Sequence, residues 1–123
     1  MKKEGGGKII NVGSMTSIFG AGIAVAYSSS KGGVVQLTRS LAVGWAKHNI
    51  QVNAVLPGWI VTDMTNEFKE FSPERYDFVT RRIPMGRWGQ PSDVGGAAVF
   101  LASRASDYVT GAVLAVDGGY SSF

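Results

Sequence analysis

Ser14, Tyr27 and Lys31 are the residues of this chain whose types and spacing could do chemistry. Tyr27 and Lys31 are four apart, so a helix opening at Tyr27 sets them one turn apart on one face. An ammonium ion fixed beside a phenol favours the phenolate, and such a pair suits proton exchange. Ser14 lies 13 residues before Tyr27, at the end of an apolar run. A hydroxyl at a strand end could hold a carbonyl oxygen against that phenol. Together the three suit proton transfer to or from a carbonyl or alcohol oxygen. A different chemistry uses the same residues. Ser28-Ser29-Ser30-Lys31 also reads as Ser-x-x-Lys, in which a lysine or tyrosine activates a serine toward esters. Ser14 or Ser28, with Tyr27 and Lys31, would then be the hydrolytic groups. No Gly-x-Ser-x-Gly turn accompanies them, and a four-residue match in a serine-rich stretch is a weak signal.

Bulk properties narrow the classes. At 123 residues there is room for one modest domain. Hydrophobic residues make up 45% and charged residues 17%, a globular balance far from that of disordered chains. There is no cysteine, which excludes disulfides and thiolate chemistry. His48 is the one histidine, which excludes a multi-histidine metal cluster and leaves metal binding unexpected. Its expected place is a helix end, with no chemical role. The net charge is only +3, and the basic residues are scattered without interleaved aromatics. They read as a solvated surface, so no nucleic-acid partner is expected. No apolar run reaches membrane-spanning length, so no membrane partner is expected either. Met1-Lys2-Lys3-Glu4-Gly5 is not followed by the apolar core of a signal peptide, and a cytoplasmic location is the default.

The elements that must position these groups follow from pattern. Gly5-Gly6-Gly7 is a flexible lead-in. Lys8 to Ser14 reads as a short buried strand, and Met15 to Ala26 as a small-residue loop. Tyr27 to His48 reads as a long helix. Its Val34, Leu37, Leu41 and Trp45, at spacings of 3, 4 and 4, are expected to face the core. Ile50 to Leu56 reads as a second strand, stopped by Pro57-Gly58. Trp59 to Trp88 is aromatic and amphipathic, with one or two short helices, and could form a substrate lid, an interface or a core. Pro91, with Asp93 in the first turn, opens a helix to about Ser103. Gly95-Gly96 inside it implies a close packing contact. Ala112 to Val116 reads as the third strand, ended by Asp117-Gly118-Gly119 in a structural turn. Strands separated by helices imply an α/β fold with a parallel, doubly wound three-strand sheet.

Five blocks now stand in order: Ile9-Ile10-Asn11-Val12-Gly13-Ser14, Tyr27-x-x-x-Lys31, Asn53-Ala54-Val55-Leu56-Pro57-Gly58, Gly86-Arg87-Trp88-Gly89-Gln90-Pro91, and Thr110-Gly111 with Asp117-Gly118-Gly119. In order and spacing they resemble a short-chain dehydrogenase/reductase, in the branch of 3-oxoacyl carrier-protein reductases and gluconate dehydrogenases. The resemblance covers residues 8 to 120. It implies the carboxyl half of a Rossmann-like domain and an oxidoreductase moving hydride between NAD or NADP and a carbonyl/secondary-alcohol pair. It implies that Tyr27 is the acid/base, that Ser14 holds the substrate oxygen, and that Lys31 supports Tyr27 and the nicotinamide ribose. Pro57, Gly58, Ile60 and Thr62 resemble the segment that cradles the nicotinamide. The family's pyrophosphate-binding glycine turn and its cofactor-selecting residue lie in its other half and have no counterpart here. Gly5-Gly6-Gly7 is no substitute, since no strand precedes it and no helix follows it. Met1 therefore resembles an internal methionine of a longer parent, and dinucleotide binding by this chain alone should be poor.

The organisation expected is one partial Rossmann-like domain over 1–123. It has a strand–helix–strand part at 7–58, a lid-like segment at 59–90 and a helix–strand part at 91–123. The first strand would expose an edge, so a homo-oligomer is expected. A non-catalytic oligomerising fragment is the remaining reading.

Overall fold

The structure is a computed structural model that describes residues 1–122, except the side chain of Met64. Three strands, β1 (Gly7–Val12), β2 (Ile50–Pro57) and β3 (Val113–Val116), form one sheet in the order β1-β2-β3. Both pairings are parallel. Gly7 faces Ile50 and Val12 faces Val55, while Ala54 faces Val113 and Pro57 faces Val116. Parallel neighbours cannot be joined by a tight hairpin, so helices carry the chain back across the sheet. Helix α1 (Val25–Trp45) makes the first crossing. Helices α2 (Asp63–Phe71), α3 (Pro73–Arg82) and α4 (Pro91–Ala102) make the second. The parallel three-strand α/β arrangement is the one the sequence implies. The carboxyl part expected over 91–123 is described to Ser122, and Phe123 lies outside the described residues.

Strand β2 reads as an unbroken apolar run because it is the middle strand. Val52, Ala54 and Leu56 are fully buried. Asn53 is buried among them, and its amide is bonded at both its nitrogen and its oxygen. Its Nδ2 donates to the Val109 carbonyl at 2.9 Å, and its Oδ1 accepts from the Ala112 N–H at 3.0 Å. The Thr110 hydroxyl accepts from the Val52 N–H at 3.1 Å. These bonds fix the approach to β3 in register with β2.

The buried face of α1 matches the expected stripe only in part: Leu41 packs against Ala42, Ile50 and Val52, and Val34 is half-buried. Val35, Thr38 and Ala42 are its buried residues, while Leu37 is 52% and Trp45 38% exposed. The reason is proximity. Thr38 comes within hydrogen-bond reach of Asn11 on β1, a contact that hydropathy does not select. Thr38 satisfies its hydroxyl by donating to the Val34 carbonyl at 2.8 Å and accepting from Asn11 Nδ2 at 2.9 Å. The expectation of a close contact at Gly95-Gly96 also fails, since a Cβ added at either would meet open space.

Residues 59–90 carry two short helices with local start signals. Thr62 caps α2 by accepting the Thr65 N–H at 3.3 Å, and Pro73 opens α3. Their apolar sides close over Met15, Val79, Ile83, Trp88 and Tyr120, with Trp59, Phe68 and Tyr76 packed against that core. The Tyr76 and Trp88 rings stack at 4.5 Å, and Trp88 Nε1 donates to the Thr80 hydroxyl at 2.9 Å. Through Trp88 this cluster joins Tyr76 of α3 to Trp59, two residues beyond the end of β2.

The start of α4 is pinned by charge. Asp93 accepts from Arg87 Nη1 at 2.8 Å and Nη2 at 3.2 Å, and from the Gln90 N–H at 2.7 Å. The Arg87 hydrogen bond and then the Gln90 N–H hold the Asp93 carboxyl down from 3.8 to about 2. Its folded value lies below its unfolded one, so its contribution is complete above the unfolded value. It should be lost as the pH falls from about 4 through about 2. Thermal melts of the wild type and Asp93→Asn from pH 5 downward check this. Their gap should narrow over that window, and a gap independent of pH would contradict it.

Candidate active site

Ser14 sits two residues beyond β1, where extended backbone (φ −158°) turns into a short 3-10 segment at Met15–Ser17. Gly13 precedes it because a Cβ there would strike Leu56. The Ser14 N–H donates to Ser17 Oγ at 3.1 Å, and Ser17 Oγ donates to the Lys31 carbonyl at 2.7 Å. The strand end is thus tied to α1. Ser14 Oγ accepts from the Thr16 N–H and the Thr16 hydroxyl, each at 3.2 Å. With its lone pairs so engaged, Ser14 keeps its own O–H free to donate.

Tyr27 lies in the first turn of α1 rather than at its opening, and its side chain is half-exposed. Lys31 is one turn further on. Its Nζ donates to the Val12 carbonyl at 3.0 Å and lies 5.7 Å from the centre of the Tyr27 ring. The ammonium is held between the end of β1 and the phenol, within cation–π range. Ser14, Tyr27 and Gly58 line one cavity of about 470 Å³, which Trp59, Arg75, Arg82 and Tyr120 also line. Lys31 backs Tyr27 from outside that cavity.

The other predicted residues fall beside it. Pro57 ends β2, and Gly58 packs against the Asp117 backbone. Ile60 pairs with Gly89 in an isolated bridge and lines a second cavity of about 350 Å³, with Asp93 and Asp117. Neither Ser14 nor Tyr27 lines that second cavity. The Ile60 carbonyl is taken by Thr65 Oγ1 at 2.9 Å, while its N–H has no acceptor among the described residues. An amide oxygen such as that of a nicotinamide carboxamide would satisfy it. Thr62 is exposed, and its hydroxyl caps α2. Ser28 Oγ is enclosed without a partner among the described residues, and Ser28 does not line the cavity. Gly5 to Gly7 do not cradle a phosphate. Gly6 is pressed against Asn49, and the Gly7 N–H bonds the Asn49 carbonyl at 3.1 Å. Among the described residues, the Ile60 N–H is thus a group that a nicotinamide carboxamide could satisfy, while Gly5 to Gly7 offer no cradle for a pyrophosphate.

The family model described as enoyl-(acyl carrier protein) reductase matches residues 1–121. The chain belongs to the short-chain dehydrogenase/reductase family. It is similar to the 2-dehydro-3-deoxy-D-gluconate 5-dehydrogenase of Bacillus subtilis, at 52% identity over 99% of this chain and 48% of that protein. It is also similar to the galactitol 2-dehydrogenase (L-tagatose-forming) of Cereibacter sphaeroides, at 49% identity over 98% of this chain and 48% of that protein. Among solved structures, a gluconate 5-dehydrogenase from Burkholderia cenocepacia in complex with NADP and tartrate superposes with a TM-score of 0.93. The identity is 40%, over 99% of this chain and 48% of that one. This short-chain dehydrogenase/reductase chain spans about half the length of the curated relatives it matches.

Arg75, Arg82 and Tyr120 are the cavity residues that sequence reasoning missed. The basic residues read as scattered surface charge. The available signal was the spacing of Arg75 and Arg82, seven apart and so on one face of a helix. Tyr120 follows the turn made by Asp117, Gly118 and Gly119. There Asp117 accepts from the Gly119 N–H at 3.0 Å and the Ser121 N–H at 2.9 Å.

Proposed function

We propose that this chain is the catalytic half of an NAD(P)-dependent oxidoreductase acting on a carbonyl/secondary-alcohol pair. The observation that carries the reading is the meeting of Ser14 and Tyr27 on one cavity, with the Lys31 ammonium against the Tyr27 ring. In the reducing direction, the Ser14 hydroxyl donates to the substrate carbonyl oxygen and fixes it. The Tyr27 hydroxyl gives that oxygen its proton, and Lys31 stabilises the phenolate left behind by charge. In oxidation Tyr27 takes the proton back. Tyr27 and Lys31 would hold the nicotinamide ribose, and Pro57, Gly58, Ile60 and Thr62 the nicotinamide. Bound NAD(P)H supplies the hydride. A cytoplasmic setting, where NAD(P)H is regenerated, suits this chemistry.

The relatives' names cover gluconate derivatives, which carry a carboxylate, and galactitol, which carries none. Relatedness therefore leaves the charge of the substrate open. The ester-hydrolase reading gains no support from the site, because Ser28 is enclosed and the Ser14 oxygen is occupied as an acceptor.

The test joins this chain to the amino-terminal half of the Bacillus subtilis relative in one polypeptide. NAD(P)H consumption with a panel of ketones and nitrophenyl-ester hydrolysis are then followed in parallel. Cofactor-dependent ketone turnover is expected. Ester turnover alone would overturn the reading.

The 123-residue chain by itself should bind NADPH weakly, because its described residues contain no pyrophosphate cradle. Fluorescence titration should show no saturation through the micromolar range, and a tight isotherm would contradict this.

Assembly with further copies is part of the proposal. Leu37 and Val43 on α1 and Val99 on α4 are exposed by 52%, 83% and 70%. Velocity sedimentation should find a dimer or larger species, and a compact monomer would count against it.

A further inference from the structure

The cavity that holds Ser14 and Tyr27 is charged on one side only. Arg75 and Arg82 line it, and among the described residues no aspartate or glutamate does. Both project from α3, two turns apart on one face. Neither takes part in an ion pair among the described residues. Each guanidinium instead rests on an aromatic ring. Arg75 lies 5.5 Å from the centre of the Phe68 ring, and Arg82 lies 4.5 Å from that of Tyr120. Arg82 Nη1 also donates to the Tyr120 hydroxyl at 2.8 Å. Tyr120 is only 7% exposed and anchored in the aromatic core, so Arg82 is held by one donor, and its other N–H groups have no acceptor among the described residues.

Arg75 stands in the first turn of α3, where the helix dipole disfavours a cation. The fold gains no ion pair from it. Arg75 is exposed at the cavity's rim, and an anion in the cavity would give its charge a partner there. A carboxylate matches the planar fork that a guanidinium offers, and two guanidiniums line this cavity.

We propose that Arg75 and Arg82 form an anion subsite of this cavity, and that the substrate is a hydroxy or oxo acid. Its carboxylate sits on the arginine pair while its carbonyl or alcohol carbon is presented to Ser14 and Tyr27. The second clause rests on the oxidoreductase reading, whereas carboxylate binding does not.

The test titrates the 123-residue chain with sodium gluconate and with galactitol at constant ionic strength. Tryptophan fluorescence and the arginine Nε–H resonances report binding, since Trp59 lines the same cavity. Gluconate should saturate and bind at least about ten times more tightly than galactitol, as expected for charge-assisted bonds. Arg82→Gln and Arg75→Gln should each weaken gluconate about tenfold or more and leave galactitol unchanged. Arg82→Lys should restore part of the loss, and Arg81→Gln, outside the cavity, should change nothing. Equal binding of the two ligands, no binding of gluconate, or wild-type affinity in both glutamine variants would overturn the subsite. Selective gluconate binding without turnover in the joined protein would sink the oxidoreductase reading and keep the subsite. Turnover of neutral and acidic substrates with equal efficiency would do the reverse.

Discussion

Tyr27→Phe is expected to lower ketone reduction by the joined protein by about 10²–10⁴-fold, the range of a lost general acid. The substitution removes one oxygen from a half-exposed side chain, and the ring that faces Lys31 remains. The Tyr27 hydroxyl makes no hydrogen bond among the described residues, so the melting temperature should stay within a degree or two. Substrate affinity should change little, because Ser14 still binds the oxygen and the arginine pair is intact. The loss therefore belongs to kcat rather than KM. Steady-state kinetics of the purified variant decide the matter. A variant within threefold of wild type would remove Tyr27 from the mechanism.

Gly58→Ala should destabilise the fold by about 3 kcal/mol, the upper range of overpacking a closed site. A Cβ at residue 58 would lie 2.6 Å from the Asp117 Cα and 2.7 Å from its Cβ. The neighbour on that side is backbone, which has no rotamer to change. Nor can the two segments separate freely, since the Gly58 N–H bonds the Val116 carbonyl at 2.9 Å. Gly95→Ala provides the contrast. That glycine is inside α4 with open space at its missing Cβ, so alanine should stabilise by up to about 1 kcal/mol. Urea unfolding of both variants measures the pair. A neutral Gly58→Ala would mean that the β2 and β3 ends move apart more easily than their hydrogen bonds suggest.

The parts of this fold that sequence made legible are those where one physical demand dominates. β2 is covered on both faces, so it shows as an apolar run, and Pro57-Gly58 marks where it stops. Pro91 and Asp93 announce α4 because a first turn rewards a residue without an N–H and an acid that accepts one. Where demands compete, the pattern misleads. The face of α1 toward the sheet uses Thr38 and Ala42, and Thr38 bonds Asn11 of β1 there. Leu37 and Trp45 look like core residues and are not. The glycines of α4 suggested close packing that the described residues do not contain.

At the site, Ser14 and Tyr27 come from segments 13 residues apart, joined by a small-residue loop, and short spacing made their meeting foreseeable. Arg75 and Arg82 could not be placed this way. Their position depends on how the Trp59, Tyr76 and Trp88 rings pack and seat α3, which is a tertiary property. Tyr120 arrives from the far end of the chain, after the Asp117 turn.

The most direct measurement follows the hydride itself. The joined protein is given NADPH carrying deuterium at the transferable position and an oxo acid as substrate, and the product alcohol is analysed by mass spectrometry and proton NMR. One deuterium on the new carbinol carbon, with that incorporation abolished by Tyr27→Phe, is the predicted result. An unlabelled product, or labelling that persists in Tyr27→Phe at the wild-type rate, would contradict it.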